Sequence, residues 1–361
     1  MKRLLLSSIL ILLFQFTACS DLENIEVDSS TFKWEVSSPD SLNLNRTMLN
    51  AAFTEASSKG FINSIIIIRN GKIAAEKYFN QRNLYSTQTV RSVSKSFLSA
   101  LVGIAVSKGI LNLDQKMIDL FPEYKSVITD SRVNNITLKH LLTMRSGIKG
   151  DVEAYFTFTS SSNWIRTTIG LPLNFDPGSK SGYSTAGTHL IAGMLTKASG
   201  MGLLEFAQQN LFELMGISIK DWARDPQGIC FGGNDMMFTT RNMAVLGLLY
   251  LNNGKLNDKQ IVPEEWVKNS LVYSGGSSGV WGSLTNLGYG YLWWLGKAAG
   301  KNVFFALGHG GQYVMCVPDL NMIIAATSDP NLDWDISDEH ERAVLQIIAD
   351  YIIPAAEKRR Y

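Results

Sequence analysis

The chain has 361 residues, 45% of them hydrophobic and 18% charged, a composition that suits a globular protein with a substantial core in one large or two interlocked domains. Its 33 Lys and Arg against 32 Asp and Glu give a formal charge of +1. Neither a nucleic-acid footprint nor an acidic tail is present, which excludes DNA and RNA as expected partners.

The first twenty residues, MKRLLLSSILILLFQFTACS, combine a basic start at Lys2 and Arg3 with an apolar run from Leu4 to Phe14. This is the layout of a secretory signal, too short to remain as a membrane-spanning helix. Cys19 directly follows the small residues Thr17 and Ala18 and resembles a bacterial lipoprotein cleavage box, with Phe16 where an aliphatic residue is usual. The expectation is a signal over residues 1–18, lipidation at Cys19, and an exported, membrane-anchored protein of the cell envelope, on the outer membrane or the periplasmic face. An ordinary signal peptide with an incidental cysteine is the alternative. Residues 19–45 are polar and aperiodic, and read as a tether.

FINSIIIIRNGKIAAEKYFN (61–80) predicts a β-hairpin turning at Asn70-Gly71. RSVSKSFLSALVGIAVSKG (91–109) predicts a helix apolar on almost every side, and therefore buried. From Leu111 to about residue 270 the signals are mainly helical, as in LKHLLTMRSG, GTHLIAGMLTKASG and RNMAVLGLLYLNNG, each ending at a glycine that suits a left-handed cap. The last hundred residues return to short β-rich runs (GYGYLWWLG, NVFFALGHGG, QYVMCVPDL, NMIIAATSD) before a final helix from about Glu339 to Ala355. Two early strands and about four late ones imply an α+β fold, an antiparallel sheet flanked by helices with a large, mainly helical insertion. On this reading one domain spans 46–358, its α/β part being 46–110 and 280–358 and its helical part 111–279.

Cys230 and Cys316 could pair only with each other, so no disulfide framework is indicated. His140, His189 and His340 read as helix residues. No spaced ligand set suggests a metal, and no motif calls for a cofactor.

Three motifs could carry chemistry. Ser92 and Lys95 stand at i and i+3, which share a helix face, and a desolvated lysine can deprotonate a serine hydroxyl. Against this, Ser92 could be an N-cap with Lys95 snorkelling, and Ser-Thr-Phe-Lys at 30–33 has the same spacing. In FDPGSKSGYSTAGTHLIAGML, a turn at Asp176-Pro177-Gly178 precedes Tyr183, either a proton-transfer group or an aromatic anchor. In LGHGGQYVMCV, His309-Gly310-Gly311 marks a strand end where glycines permit close approach to a ligand, or simply a tight turn. GGSSG at 275–279 matches the Gly-x-Ser-x-Gly pattern, but it has no apolar strand ahead of it and reads as a flexible loop.

Taken in order, Ser-x-x-Lys, the Pro-Gly turn with Tyr-Ser-Thr, and the His-Gly-Gly strand resemble the serine β-lactamase superfamily. The likeness is to its class C, DD-peptidase and esterase branch, over roughly residues 55–355. ITLKHLLTMRSGI (136–148), GGNDMMFTTRNMAVLGLLYLNNGKL (232–256) and Gly310-Gly311-Gln312 extend it, and LLTMRSG is closest to 6-aminohexanoate-oligomer hydrolases and related carboxylesterases. The resemblance implies a β-lactamase/transpeptidase-like fold, Ser92 as acylated nucleophile, Lys95 as proton acceptor and Tyr183 as a shared base and proton donor. It implies an oxyanion hole from the backbone N–H groups of Ser92 and Gln312, beside His309, Gly310, Gly311 and Thr185. Two positions depart from the β-lactamase pattern: Thr185 stands for an asparagine, and His309 for a lysine whose fixed charge attracts substrate carboxylates. Both bear on recognition and point to an esterase or amidase acting on a small-molecule ester, amide or short peptide-like substrate. The alternatives are a β-lactamase or penicillin-binding DD-peptidase and, in another class, a catalytically inactive surface-anchored binding protein.

Overall fold

The computed structural model describes residues 30–275 and 279–357. Its thirteen strands are β1 (Glu35–Val36), β2 (Ile62–Arg69), β3 (Lys72–Tyr78), β4 (Thr87–Thr89), β5 (Asp221–Trp222), β6 (Met236–Thr239), β7 (Lys255–Leu256), β8 (Lys259–Gln260), β9 (Leu284–Tyr289), β10 (Trp294–Ala298), β11 (Lys301–Gly308), β12 (Gln312–Val317) and β13 (Met322–Ser328). The α-helices are α1 (Arg46–Lys59), α2 (Ser94–Ser107), α3 (Leu138–Leu142), α4 (Asp151–Thr159), α5 (Trp164–Gly170), α6 (Thr185–Ser199), α7 (Leu203–Ala207), α8 (Glu213–Met215), α9 (Thr240–Leu251), α10 (Glu264–Ser270) and α11 (Trp334–Ile347).

Asn70 and Gly71 both take positive φ (51° and 75°), as a two-residue hairpin turn requires, and β2 and β3 pair antiparallel across it. The eight-stranded sheet runs β1-β3-β2-β13-β12-β11-β10-β9, so the late strands join the early hairpin through β13 on β2. This gives the expected α+β fold with a helical insertion. The run of isoleucines in β2 is continuous because both sheet faces are covered. Ile66 and Ile68 face a core shared with α2 and the helical part, while Ile62, Ile65 and Ile67 face a second core under α1 and α11.

Four expectations need correction. The ordered body begins before residue 46: Glu35–Val36 pair parallel with β3, Phe32 and Trp34 pack on the main core, and Leu42 and Leu44 are buried. Sparse apolar residues at irregular spacing concealed that packing from a periodicity argument. The late part contributes five strands to the sheet rather than four, and the last α-helix begins at Trp334. Ser92 does not cap an α-helix; it sits in a 3-10 turn, Arg91–Val93, that leads into α2. Cys230 and Cys316 are separate buried thiols.

Helix α2 is buried without a break from Ser94 to Ala105. At Gly103 an added Cβ would lie 2.4 Å from the Trp266 ring of α10. Gly103→Val should therefore lower unfolding free energy by about 1–3 kcal/mol, the usual cost of overpacking, as measured by urea denaturation. Undiminished stability would mean that the indole moves aside freely.

Candidate active site

Ser92 and Lys95 lie at the start of α2, at the junction of the sheet and the helical part. Lys95 is 1% exposed, and its Nζ donates to Ser92 Oγ (2.9 Å), Thr185 Oγ1 (3.0 Å) and the Gly233 carbonyl (2.8 Å). The Nζ also lies 4.9 Å from the centre of the Tyr183 ring. Burial pulls this ammonium down to about 8, and Asp151 and Asp235 keep it from falling further. A lysine so placed is neutral in a useful fraction near neutral pH and can accept a proton from the serine it touches.

Tyr183 precedes α6, stacked on Trp294 with ring centroids 5.7 Å apart, and lines the cavity beside Ser92. Burial raises its phenol above the ordinary range, the charges of Asp151 and Glu341 raise it further, and the nearby Ser92 hydroxyl opposes them. The group therefore stays a neutral phenol at neutral pH. It can donate or relay a proton.

Thr185, two residues on, faces inward. Its hydroxyl accepts from Lys95 and donates to Asp151 Oδ2 (2.6 Å), while its N–H donates to Asp151 Oδ1 (2.6 Å). Asp151, at the start of α4, thus ties the N-terminus of α6 to the lysine. Sequence reasoning missed it, since Gly-Asp opening a short helix carries no distinctive signal. Gly233, inside the GGND phrase, was also missed; a Cβ there would meet Thr188 Oγ1 at 2.1 Å and Lys95 Nζ at 3.2 Å. Arg91, before the serine, has φ of 49°, a strained value for a non-glycine residue. Its guanidinium is held by Asp235 (3.0 Å) and by the Pro330 carbonyl (2.7 Å).

The His-Gly-Gly turn joins β11 to β12. His309 lines the cavity that holds Ser92, with Nε2 2.8 Å from the Leu332 carbonyl. Gln312 does not reach it: its side chain is fully buried, accepting from Gln88 (2.7 Å) and donating to the carbonyls of His309 (3.2 Å) and Ser328 (3.0 Å). Peptide direction is decisive for the backbone. The Gly311 carbonyl accepts from Ser328 Oγ on β13, so the trans peptide aims the Gln312 N–H back into the hairpin toward β11. The Gly308 carbonyl accepts from Gly311 N–H, so the His309 N–H points the other way, off the free edge of β11. That edge borders the cavity, because β10 pairs with β11 only as far as Phe305.

The cavity, about 370 Å³, also exposes Tyr155, Phe156, Trp294, Trp334 and Glu341. A second of about 770 Å³ adjoins it across Tyr183 and Trp294 and is bordered by Arg145, Lys180 and Gly275. The serines of the GGSSG stretch, like Cys19 and the signal segment, lie outside the described residues. Ser30 and Lys33 of the repeated spacing pack far from the site, Ser30 Oγ donating to the Gly216 carbonyl. His189 is paired with Asp225 (3.0 Å) in the core, and His140 completes a capping box on α3.

The family model described as Beta-lactamase matches residues 63–345. The chain belongs to the beta-lactamase family. Among curated relatives, an uncharacterized protein of Alkalihalophilus pseudofirmus is 29% identical over 293 residues, covering 72% of this chain and 81% of that one. A solved structure from Bacillus anthracis, provisionally assigned as a 6-aminohexanoate-dimer hydrolase, superposes with a TM-score of 0.70 at 17% identity, covering 91% of this chain and 90% of that one. EstCE1, a hydrolase with promiscuous acyltransferase activity, gives 0.67 at 15%, covering 84% and 99%. At such identities these two structures speak for the beta-lactamase fold alone.

The charges around Lys95 give a test. Acylation of Ser92 by an activated ester should rise with pH to a midpoint near 8, as Lys95 loses its proton. In Asp151→Asn the ammonium loses a stabilising carboxylate, so the midpoint should move to lower pH. A midpoint that stays or moves up would separate Asp151 from the lysine's ionisation.

Proposed function

We propose that the chain is a serine hydrolase that cleaves esters or amides through an acyl-enzyme on Ser92. The observation that carries this reading is Lys95, buried with its Nζ 2.9 Å from Ser92 Oγ. Neutral Lys95 takes the serine proton as Oγ attacks the substrate carbonyl. The proton passes through the Tyr183 hydroxyl to the leaving atom, and the C–O or C–N bond breaks. Water, deprotonated along the same path, then releases the acid and frees Ser92. The developing oxyanion faces the N–H groups of Ser92 and His309. The peptide directions described above support His309 for this role in place of Gln312. Losing one such donor typically costs about 3 kcal/mol of transition-state stabilisation.

Esters and amides are favoured over β-lactams because no lysine stands at position 309 to attract a carboxylate, while Asp151 and Glu341 line the cavity. The structures it resembles include a 6-aminohexanoate-dimer hydrolase, so assigned provisionally, and a hydrolase with promiscuous acyltransferase activity, which supports this reading. Export with lipid anchoring at Cys19 belongs to the same proposal and is supported by the sequence of the first twenty residues. Palmitate incorporation that disappears in Cys19→Ser would support it; undiminished labelling would refute it.

Intact mass after brief exposure to an activated ester should show an acyl adduct on the wild type and none on Ser92→Ala. Lys95→Ala should lower kcat/KM about 10²- to 10⁴-fold with folding unchanged. Near-wild-type turnover by Lys95→Ala would remove the base assignment. An absence of adduct with every acyl group tried would favour a silent binding protein on this fold.

A further inference from the structure

The N–H groups of Ser92 and His309 belong to different segments, and buried amides join those segments. Gln88 lies on β4, just before the Ser92 turn, and Gln312 opens β12, just after the His-Gly-Gly turn. Gln88 Nε2 donates to Gln312 Oε1 (2.7 Å), and Gln312 Nε2 donates to the His309 carbonyl (3.2 Å). Ser328 on β13 fixes which way each amide faces. Its carbonyl can only accept, and it takes Gln88 Nε2 (2.9 Å) and Gln312 Nε2 (3.0 Å). Its N–H can only donate, and goes to Gln312 Oε1 (3.2 Å). The other oxygen, Gln88 Oε1, accepts from Asn63 Nδ2 (3.0 Å). The far end of the His309–Gly310 peptide is held from α11, where the Gly310 N–H donates to Ser337 Oγ (2.7 Å) and Glu341 Oε1 (3.3 Å). The Gly308 carbonyl, bonded to the Gly311 N–H, fixes the peptide plane before His309. Gln312 and Ser337 fix the plane after it.

Resting on the hydrolase reading above, we propose that Gln312 is a positioning residue, whose side chain ties β4 to the His309 peptide and so aligns the two oxyanion donors with each other. The resemblance gives this residue an oxyanion role through its own N–H; here it acts through its amide side chain. Stability alone does not call for such a network. Replacing buried hydrogen-bonding partners with apolar groups of like shape can be nearly neutral, because those bonds were exchanged for bonds to water. What the amides add is direction. An oxyanion donor acts only when aimed at the place where the charge develops, about 3 Å away.

The test compares kcat/KM for an activated alkanoyl ester with that for its thionoester, in which sulfur replaces the carbonyl oxygen. Sulfur is a weak acceptor, so the ratio reads the oxyanion donors rather than the Ser92–Lys95 pair. The wild type should favour the ester. In Gln312→Met, which keeps the length of the side chain and loses both amide hydrogens, the ratio should fall about 10-fold, part of the 10²- to 10³-fold cost of losing a whole donor. Gln88→Met should lower it in the same direction. Ser337→Ala, which removes the nearer acceptor of the Gly310 N–H, should do so too, and replaces Gln312→Met in the test if that variant does not fold. An unchanged ratio in the folded variants overturns the proposal. So does an equal loss toward ester and thionoester, which would make the network a support of the fold only. A wild type that is acylated on Ser92 without favouring the ester overturns the placement of the donors and leaves the hydrolase reading standing. If Ser92 takes an acyl group from neither compound, the hydrolase reading falls and this proposal with it.

Discussion

An ammonium group removed from water must be met by acceptors, and the arrangement around Lys95 follows from that requirement. Its three partners come from separate places in the chain: Ser92 from the turn before α2, Thr185 from α6, and the Gly233 carbonyl from the loop ahead of β6. Ser92 is local to the lysine, but Thr185 and Gly233 belong to the helical insertion and reach it only once that part has docked against the sheet. No partner carries a full negative charge. Desolvation therefore dominates, and the carboxylates of Asp151 and Asp235 act from one residue further away. A carboxylate in direct contact would hold the proton on the lysine; one at a remove keeps the cation tolerable while leaving it able to lose that proton.

The serine is presented by a backbone under constraint. Arg91 is held at positive φ by contacts with Asp235 and Pro330, and strain of about 1–3 kcal/mol at such a residue persists only where its surroundings impose it. The strand that completes the site approaches this turn closely. A Cβ on Gly308 would lie 2.4 Å from the Val90 carbonyl, so only glycine lets β11 come near enough for the next N–H, that of His309, to border the serine's cavity.

How much of this was legible in the sequence depends on whether a feature is local. The Asn70-Gly71 hairpin, the buried α2 and the late β-rich strands announce themselves through turn chemistry and hydrophobic pattern, and the α+β class follows from their order. Ser92, Lys95 and Tyr183, which the structure brings to one cavity wall, could be singled out because their motifs, ambiguous singly, occur in a family-like succession. The contacts that tune them were not found. Asp151 acts through a bond to a residue 34 positions away, and Gly233 through a carbonyl, which has no sequence signature. The choice between Gln312 and His309 turns on which way two peptide planes face, set by Ser328 and by a three-residue turn. The segment from 30 to 45 escaped because its few apolar residues make tertiary contacts without a periodic face.

The two departures from the β-lactamase pattern have a common physical consequence. A threonine hydroxyl has one proton, and Thr185, already accepting from Lys95, directs that proton to Asp151. It has no donor left for a substrate, whereas an asparagine amide would. The ring of His309 is likewise engaged: a carbonyl can only accept, so the bond from Nε2 to Leu332 commits that N–H to the protein. Both positions that would reach toward an anionic group have thus turned their hydrogens inward. The other walls of the cleft are α4, with Tyr155 and Phe156, and α11, with Trp334 and Glu341. There the surface is aromatic and acidic. These walls are not electrically separate from the Ser92 turn, since Asp151 of α4 supports the Lys95 ammonium and Glu341 of α11 raises the Tyr183 phenol, so a change of charge on either helix also reaches the groups beside the serine.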